Sequence, residues 1–137
     1  MNTPDDLLNR LDAIGCSLAN HADALALIGL GSVGRELDRL DEFSDLDFFL
    51  VVRPGTKERF FTNLDWLEAA APVVFRYRGP GAGLHVLFTD GIYAEMAIFT
   101  VAELGNAGYT PGRIVWKQPW VSESVAAPSR TPPAPAT

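Results

Sequence analysis

Leu30-Gly31-Ser32-Val33-Gly34-Arg35 and, with twelve residues between Ser32 and Asp45, the run Asp45-Leu46-Asp47-Phe48-Phe49-Leu50-Val51-Val52 decide how this chain is read. The apolar stretch Ala24 to Leu30 enters the first phrase as a strand, turns at Gly31-Ser32, and continues from Ser32 to about Leu37 as a short helix. In the second phrase, strand alternation puts Asp45 and Asp47 on one face and Leu46 and Phe48 on the other. Two carboxylates on one face repel unless something positive sits between them, and a divalent cation meets that need. Magnesium suits, because it takes hard oxygen ligands and is commonly held by one or two carboxylates together with substrate phosphates. Gly31 lets the backbone approach a phosphate, and Ser32 adds a hydroxyl and an amide at a helix start. Arg35 stands close enough to that turn in sequence to meet a triphosphate.

A third carboxylate arrives later. Ile92 to Phe99 reads as a strand with both faces mostly apolar, so burial on two sides is expected, and Glu95 is its exception. An unpaired buried carboxylate is costly, so Glu95 needs a cation, a hydrogen-bond network or an opening. A place beside Asp45 and Asp47 supplies the first and last of these. The alternatives are a water-facing position near a sheet edge, or an ion pair with Arg76 or Arg78 on a neighbouring strand.

The Gly-Ser turn, the spacer and the Asp-x-Asp strand together resemble the nucleotidyltransferase superfamily, the DNA polymerase β-like fold. Four phrases are also similar to the amino-terminal domain of lincosamide nucleotidyltransferases and their aminoglycoside-modifying relatives, over roughly residues 20 to 121. They are Ser44-Asp45-Leu46-Asp47-Phe48-Phe49, Leu64-Asp65-Trp66-Leu67, Asp90-Gly91-Ile92-Tyr93-Ala94-Glu95 and Gly112-Arg113-Ile114-Val115-Trp116-Lys117. The resemblance implies an α+β fold, an αβαβ core with a mixed twisted sheet and helices packed mainly on one face. It implies transfer of a nucleoside monophosphate from a nucleoside triphosphate to a hydroxyl of a small acceptor, with lincosamide and aminoglycoside antibiotics as candidates. In that scheme Asp45, Asp47 and Glu95 are the catalytic residues and hold one or two Mg²⁺, Gly31, Ser32 and Arg35 bind the nucleotide, and Glu95 acts as metal ligand, base or both. Relatives of this kind carry a further helical domain that helps hold the acceptor and often makes a dimer, whereas this sequence passes into a Pro-rich tail. Besides a small-molecule enzyme, with a homodimer as one arrangement, two readings therefore stay open: an antitoxin-type enzyme that adenylylates a helical protein partner, and a nucleotide-binding domain without activity.

Composition bounds these readings. The 137 residues, 47% hydrophobic and 20% charged, fit one folded domain, expected over residues 1–121, with residues 122–137 as a disordered Pro/Ala-rich tail. A net charge of −6 argues against a broad basic surface, so a nucleic-acid acceptor is disfavoured. Cys16 is the only cysteine, which rules out an internal disulfide. The acidic start lacks a basic segment followed by an apolar one, and no stretch approaches a membrane span, so a soluble cytoplasmic protein is expected.

Around the two key phrases, the remaining sequence supplies scaffold. Thr3 and Pro4 open a helix whose Leu7, Leu11, Ile14 and Leu18 recur at helical spacing. Thr56 is expected to cap a helix from Lys57 to about Ala70, with Phe60, Phe61, Leu64 and Leu67 on one apolar face. Val73 to Arg78 and Leu84 to Phe88 read as strands, and Asp90-Gly91 as the hairpin turn into Ile92 to Phe99. Thr100 and Glu103 form a capping box for a very short helix stopped at Gly105, and Gly112 to Lys117 reads as a last strand. The acidic loop Asp38 to Ser44 reads as solvated. His21 and His85 read as packed or surface histidines, and Trp116 and Trp120 as cover for the core or the border of a cleft.

Overall fold

At the start of the chain, the Asp6 amide donates to the Thr3 hydroxyl at 3.2 Å while the Thr3 amide donates to the Asp6 carboxylate at 2.8 Å. This reciprocal capping box, with Pro4 in the first turn, satisfies two of the amides a helix start leaves unbonded. The computed structural model describes residues 3–30, 45–105, 112–122 and 125. In chain order the elements are α1 (Pro4–Leu18), β1 (Ala24–Gly29), β2 (Leu46–Val52), α2 (Lys57–Thr62), α3 (Asp65–Glu68), β3 (Val73–Arg78), β4 (Gly83–Phe88), β5 (Tyr93–Phe99), α4 (Val101–Gly105) and β6 (Arg113–Lys117).

The strands form one mixed sheet in the order β3-β4-β5-β2-β1-β6. β2 and β5 pair in parallel and every other neighbouring pair is antiparallel, which makes the fold α+β as expected. The β4–β5 hairpin closes at Gly91, whose φ of 93° suits glycine, with the Phe88 amide donating to the Ile92 carbonyl at 2.9 Å. Arg10 on α1 forms an ion pair with Asp90 in that hairpin and lies over the Phe88 ring at 4.6 Å, which ties the hairpin to the first helix.

Alternation in the strands sorts side chains into two layers. Leu46, Phe48, Leu50 and Val52 from β2, Leu84, Val86 and Phe88 from β4, and Ala94, Met96 and Ile98 from β5 face α1, α2 and α3 and are buried there with Leu7, Leu11, Ile14 and Leu18. A second, smaller cluster on the opposite face gathers Ile28, Val51, Leu104 and Val125, with Phe49 and Phe99 packed against it. Each fully buried Leu, Ile or Phe contributes about 1.5–3 kcal/mol, so the larger layer supplies most of the stability. Trp116 packs against that layer, whereas Trp120 is exposed with Arg53 over its ring at 5.1 Å.

Two expectations are corrected. The helix expected from Lys57 to Ala70 is two short helices broken at Asn63, whose backbone is extended (φ −113°, ψ 109°). The Asn63 side-chain oxygen accepts from the Asp65 amide at 3.0 Å, offering the backbone a local alternative to the helix. The break also lets the buried Trp66 indole N–H donate to the Phe60 carbonyl at 3.1 Å, and Phe60, Phe61, Leu64 and Leu67 remain buried as expected. Thr56 does not cap α2 through its side chain; its hydroxyl donates to the Arg53 carbonyl at 2.7 Å. The α4 capping box is present, with the Thr100 amide donating to Glu103 at 2.9 Å and the Glu103 amide to the Thr100 hydroxyl at 3.3 Å.

β6 reaches β1 through a close approach at Gly112. A β-carbon there would lie 2.4 Å from Cγ2 of Ile28 and 2.7 Å from the carbonyl oxygen of Gly29. Gly112→Ala is expected to destabilise the protein by about 1–3 kcal/mol, read from the midpoint of urea unfolding. An unchanged midpoint would show that the start of β6 does not press on the end of β1.

Candidate active site

The parallel register of β2 on β5 sets Asp47 directly beside Glu95. On the other side, the Leu30 amide donates to the Asp47 carbonyl at 2.8 Å, so the end of β1 lies against the same residue. Asp45 immediately precedes β2 and is exposed, Asp47 is half-buried, and Glu95 is exposed. All three carboxylates share the face opposite α1, α2 and α3. Gly31, Ser32 and Arg35 lie outside the described residues, and so does the acidic loop Asp38 to Ser44.

The expectation that β5 is buried on both sides is corrected. Ala94, Met96 and Ile98 are buried, whereas Tyr93, Ala97 and Phe99 are half-buried and Glu95 faces solvent. The reason lies in the second layer. α4 covers the far ends of β2 and β5, where Phe49 and Phe99 meet edge to face at 5.1 Å, and among the described residues no element covers their near ends. Glu95 does not pair with Arg76 or Arg78 either, because β4 separates β3 from β5. Arg76 donates to the Thr62 carbonyl at 3.3 Å, and Arg78 pairs with Glu58 at 2.7 Å and lies over the Phe61 ring.

The carboxylates feel one another. Desolvation, then the charges of Glu95 and Asp45, push the Asp47 carboxyl up to about 6. Desolvation and Glu95 raise Asp45 as well. Such mutual penalty is typical of groups assembled for a ligand rather than for stability.

His85 and Tyr93 extend the cluster, and sequence reading did not assign them to it. Cross-strand partners run Tyr77, His85, Glu95, Asp47 over β3, β4, β5 and β2, all on the open face. The Tyr77 and His85 rings stack at 4.5 Å with planes 10° apart, and His85 Nδ1 shares a 2.6 Å hydrogen bond with the Tyr93 hydroxyl. Burial, then the charge of Glu95, raises the Tyr93 phenol above its usual value. A signal was present in the sequence: counting outward from the turn at Asp90 pairs His85 with Glu95.

Among the described residues, no three acidic, histidine or cysteine side chains form a group arranged to hold a metal ion. The donor set still fits magnesium, which needs only one or two protein carboxylates when phosphates and water complete its shell. Asp45, Asp47 and Glu95 supply hard oxygens, and their mutual repulsion is relieved by a cation.

No protein-family profile matches the chain, and no curated protein matches it. Among solved structures, it is similar to an aminoglycoside 6-adenyltransferase from Bacillus subtilis, with a TM-score of 0.50 and 16% identity. The match covers 77% of this chain and 38% of that one, so this chain spans well under half the length of that protein. The likeness shows a nucleotidyltransferase-like fold.

A raised carboxyl means that the folded state binds its proton more tightly than the unfolded chain does. The contribution of Asp47 is therefore most favourable below its unfolded value of 3.8 and is lost as pH climbs through about 6, leaving a repulsive carboxylate at neutral pH. In metal-free buffer Asp47→Asn is expected to stabilise the protein at pH 7 by roughly 1 kcal/mol, the full shift being discounted because the group is partly solvated. The gain should fall to a small fraction of this near pH 4. Thermal melts at both pH values check this, and equal gains at the two would remove the electrostatic account.

Proposed function

We propose that the protein is a Mg²⁺-dependent nucleotidyltransferase that moves a nucleoside monophosphate from a nucleoside triphosphate to a hydroxyl of a small acceptor. The observation that carries this reading is the placement of Asp45, Asp47 and Glu95 on one open face, beside the end of β1 that leads into Gly31-Ser32. The nucleotidyltransferase-like fold supports it.

Asp45 and Asp47 would hold one or two Mg²⁺, and Glu95 completes that set or serves as base. Bound magnesium supplies charge stabilisation for the attacking and leaving oxygens of an in-line displacement. Gly31 and Ser32 hold the β and γ phosphates through backbone amides and a hydroxyl, and Arg35 adds a positive charge. Serving as base, Glu95 would take the proton of the acceptor hydroxyl. The freed oxygen forms its bond to the α-phosphorus while the bond to the bridging oxygen of the β-phosphate breaks, and pyrophosphate leaves. The acceptor class proposed first is the aminoglycosides and lincosamides, in a cytoplasmic setting.

Pyrophosphate release from each of the four ribonucleoside triphosphates with Mg²⁺, against a panel of aminoglycosides and lincosamides, tests the proposal. Release that depends on one acceptor is expected, and Asp47→Asn should lower it by about two orders of magnitude or more without loss of fold. Transfer by the variant at the wild-type rate would take the carboxylates out of the mechanism. If Mg²⁺ and a triphosphate raise the melting temperature but no drug is modified, the antibiotic acceptors are overturned and protein acceptors are tested next.

A further inference from the structure

We infer that the acceptor lies across β5, β4 and β3 on the open face, with its reacting hydroxyl at Glu95 and a second ring on the stacked Tyr77–His85 pair. This rests on the nucleotidyl-transfer reading above and deepens it by assigning the acceptor subsite. In an in-line displacement the attacking and leaving oxygens stand on opposite sides of the α-phosphorus. With that phosphorus over the aspartates at the start of β2, the leaving pyrophosphate extends to the β1 side, where Leu30 is bonded to Asp47 and runs into Gly31-Ser32. The attacking hydroxyl must then come from the other side of β2, and in the sheet order that side is β5, followed by β4 and β3.

That half of the face is built to receive a ring. Tyr77 keeps 47% of its surface exposed while stacked on His85, and Phe75, 58% exposed, is in register with Leu87 in the next row. His85 is in turn fixed by its bond to Tyr93. Among the described residues, α4 and its apolar cluster cover Phe49 and Phe99 and do not reach this half of the face. Neighbouring strands are about 4.8 Å apart, so Tyr77 stands roughly 10 Å from Glu95 along the row. A molecule that rests on the stack and still presents a hydroxyl to Glu95 therefore has at least two rings. A single sugar reaches one of the two positions and not both.

The test is steady-state pyrophosphate release with kanamycin, lincomycin and glucosamine as acceptors for the wild type, Tyr77→Ala and Tyr77→Phe, with melting temperatures as fold controls. Tyr77→Ala is expected to raise the acceptor KM about tenfold and leave the triphosphate KM within about twofold, while Tyr77→Phe keeps both and glucosamine is not used. An unchanged acceptor KM in Tyr77→Ala, or glucosamine turned over as well as the larger acceptors, overturns the inference. A rise in the triphosphate KM instead would put the nucleobase on the stack and overturn it too. Wild-type protein that gains thermal stability from Mg²⁺ and triphosphate yet modifies neither kanamycin nor lincomycin overturns the platform and leaves the nucleotide half standing. Absence of that gain removes the reading on which the inference rests.

Discussion

Asp47 and Glu95 stand side by side because β2 and β5 run parallel in register, Leu46 on Ala94 through Val51 on Phe99. That one pairing joins two halves of the molecule. β1, β2 and β6 lie to one side and the β3–β4–β5 meander to the other. The register is strongly specified, because a slip of one residue would send Leu46, Phe48 and Leu50 out of the main core and turn the aspartate into it. Apolar burial on one face thus holds three mutually repelling carboxylates together on the other.

The second face is divided. At its far end Phe49, Val51 and Phe99 are covered by α4, which is fixed by its Thr100–Glu103 capping box and by the pair between Lys57 and Glu103 at 3.0 Å. At its near end the same strands carry the half-buried Asp47 and the exposed Glu95 beside Tyr93, His85 and Tyr77. Apolar cover stops where charge begins, since burying those carboxylates without a partner would be costly. The consequence is a shelf that is acidic at its centre and aromatic toward β3.

Local sequence determined a good deal of this protein: the capping residues Thr3 and Thr100, the turn at Asp90-Gly91, the strand identities, and the presence of Asp45 and Asp47 on one face, since each follows from contacts within a few residues and from the two-residue period of a strand. The break of the expected long helix at Asn63 did not follow, because it depends on Trp66 finding the Phe60 carbonyl in a core assembled from distant strands. The two-sided burial of β5 was misread for a similar reason. The side chains of β5 are mostly apolar on both faces, and among the described residues α4 covers only the far end of the second face, with Glu95 exposed. Tertiary structure alone decided that Glu95 meets Asp47, which carries the hairpin pair His85–Glu95 and its neighbour Tyr77 into the same row. Residues 47 and 95 are joined through a parallel pairing that no turn specifies, so their neighbourhood is set by the packing of the whole sheet.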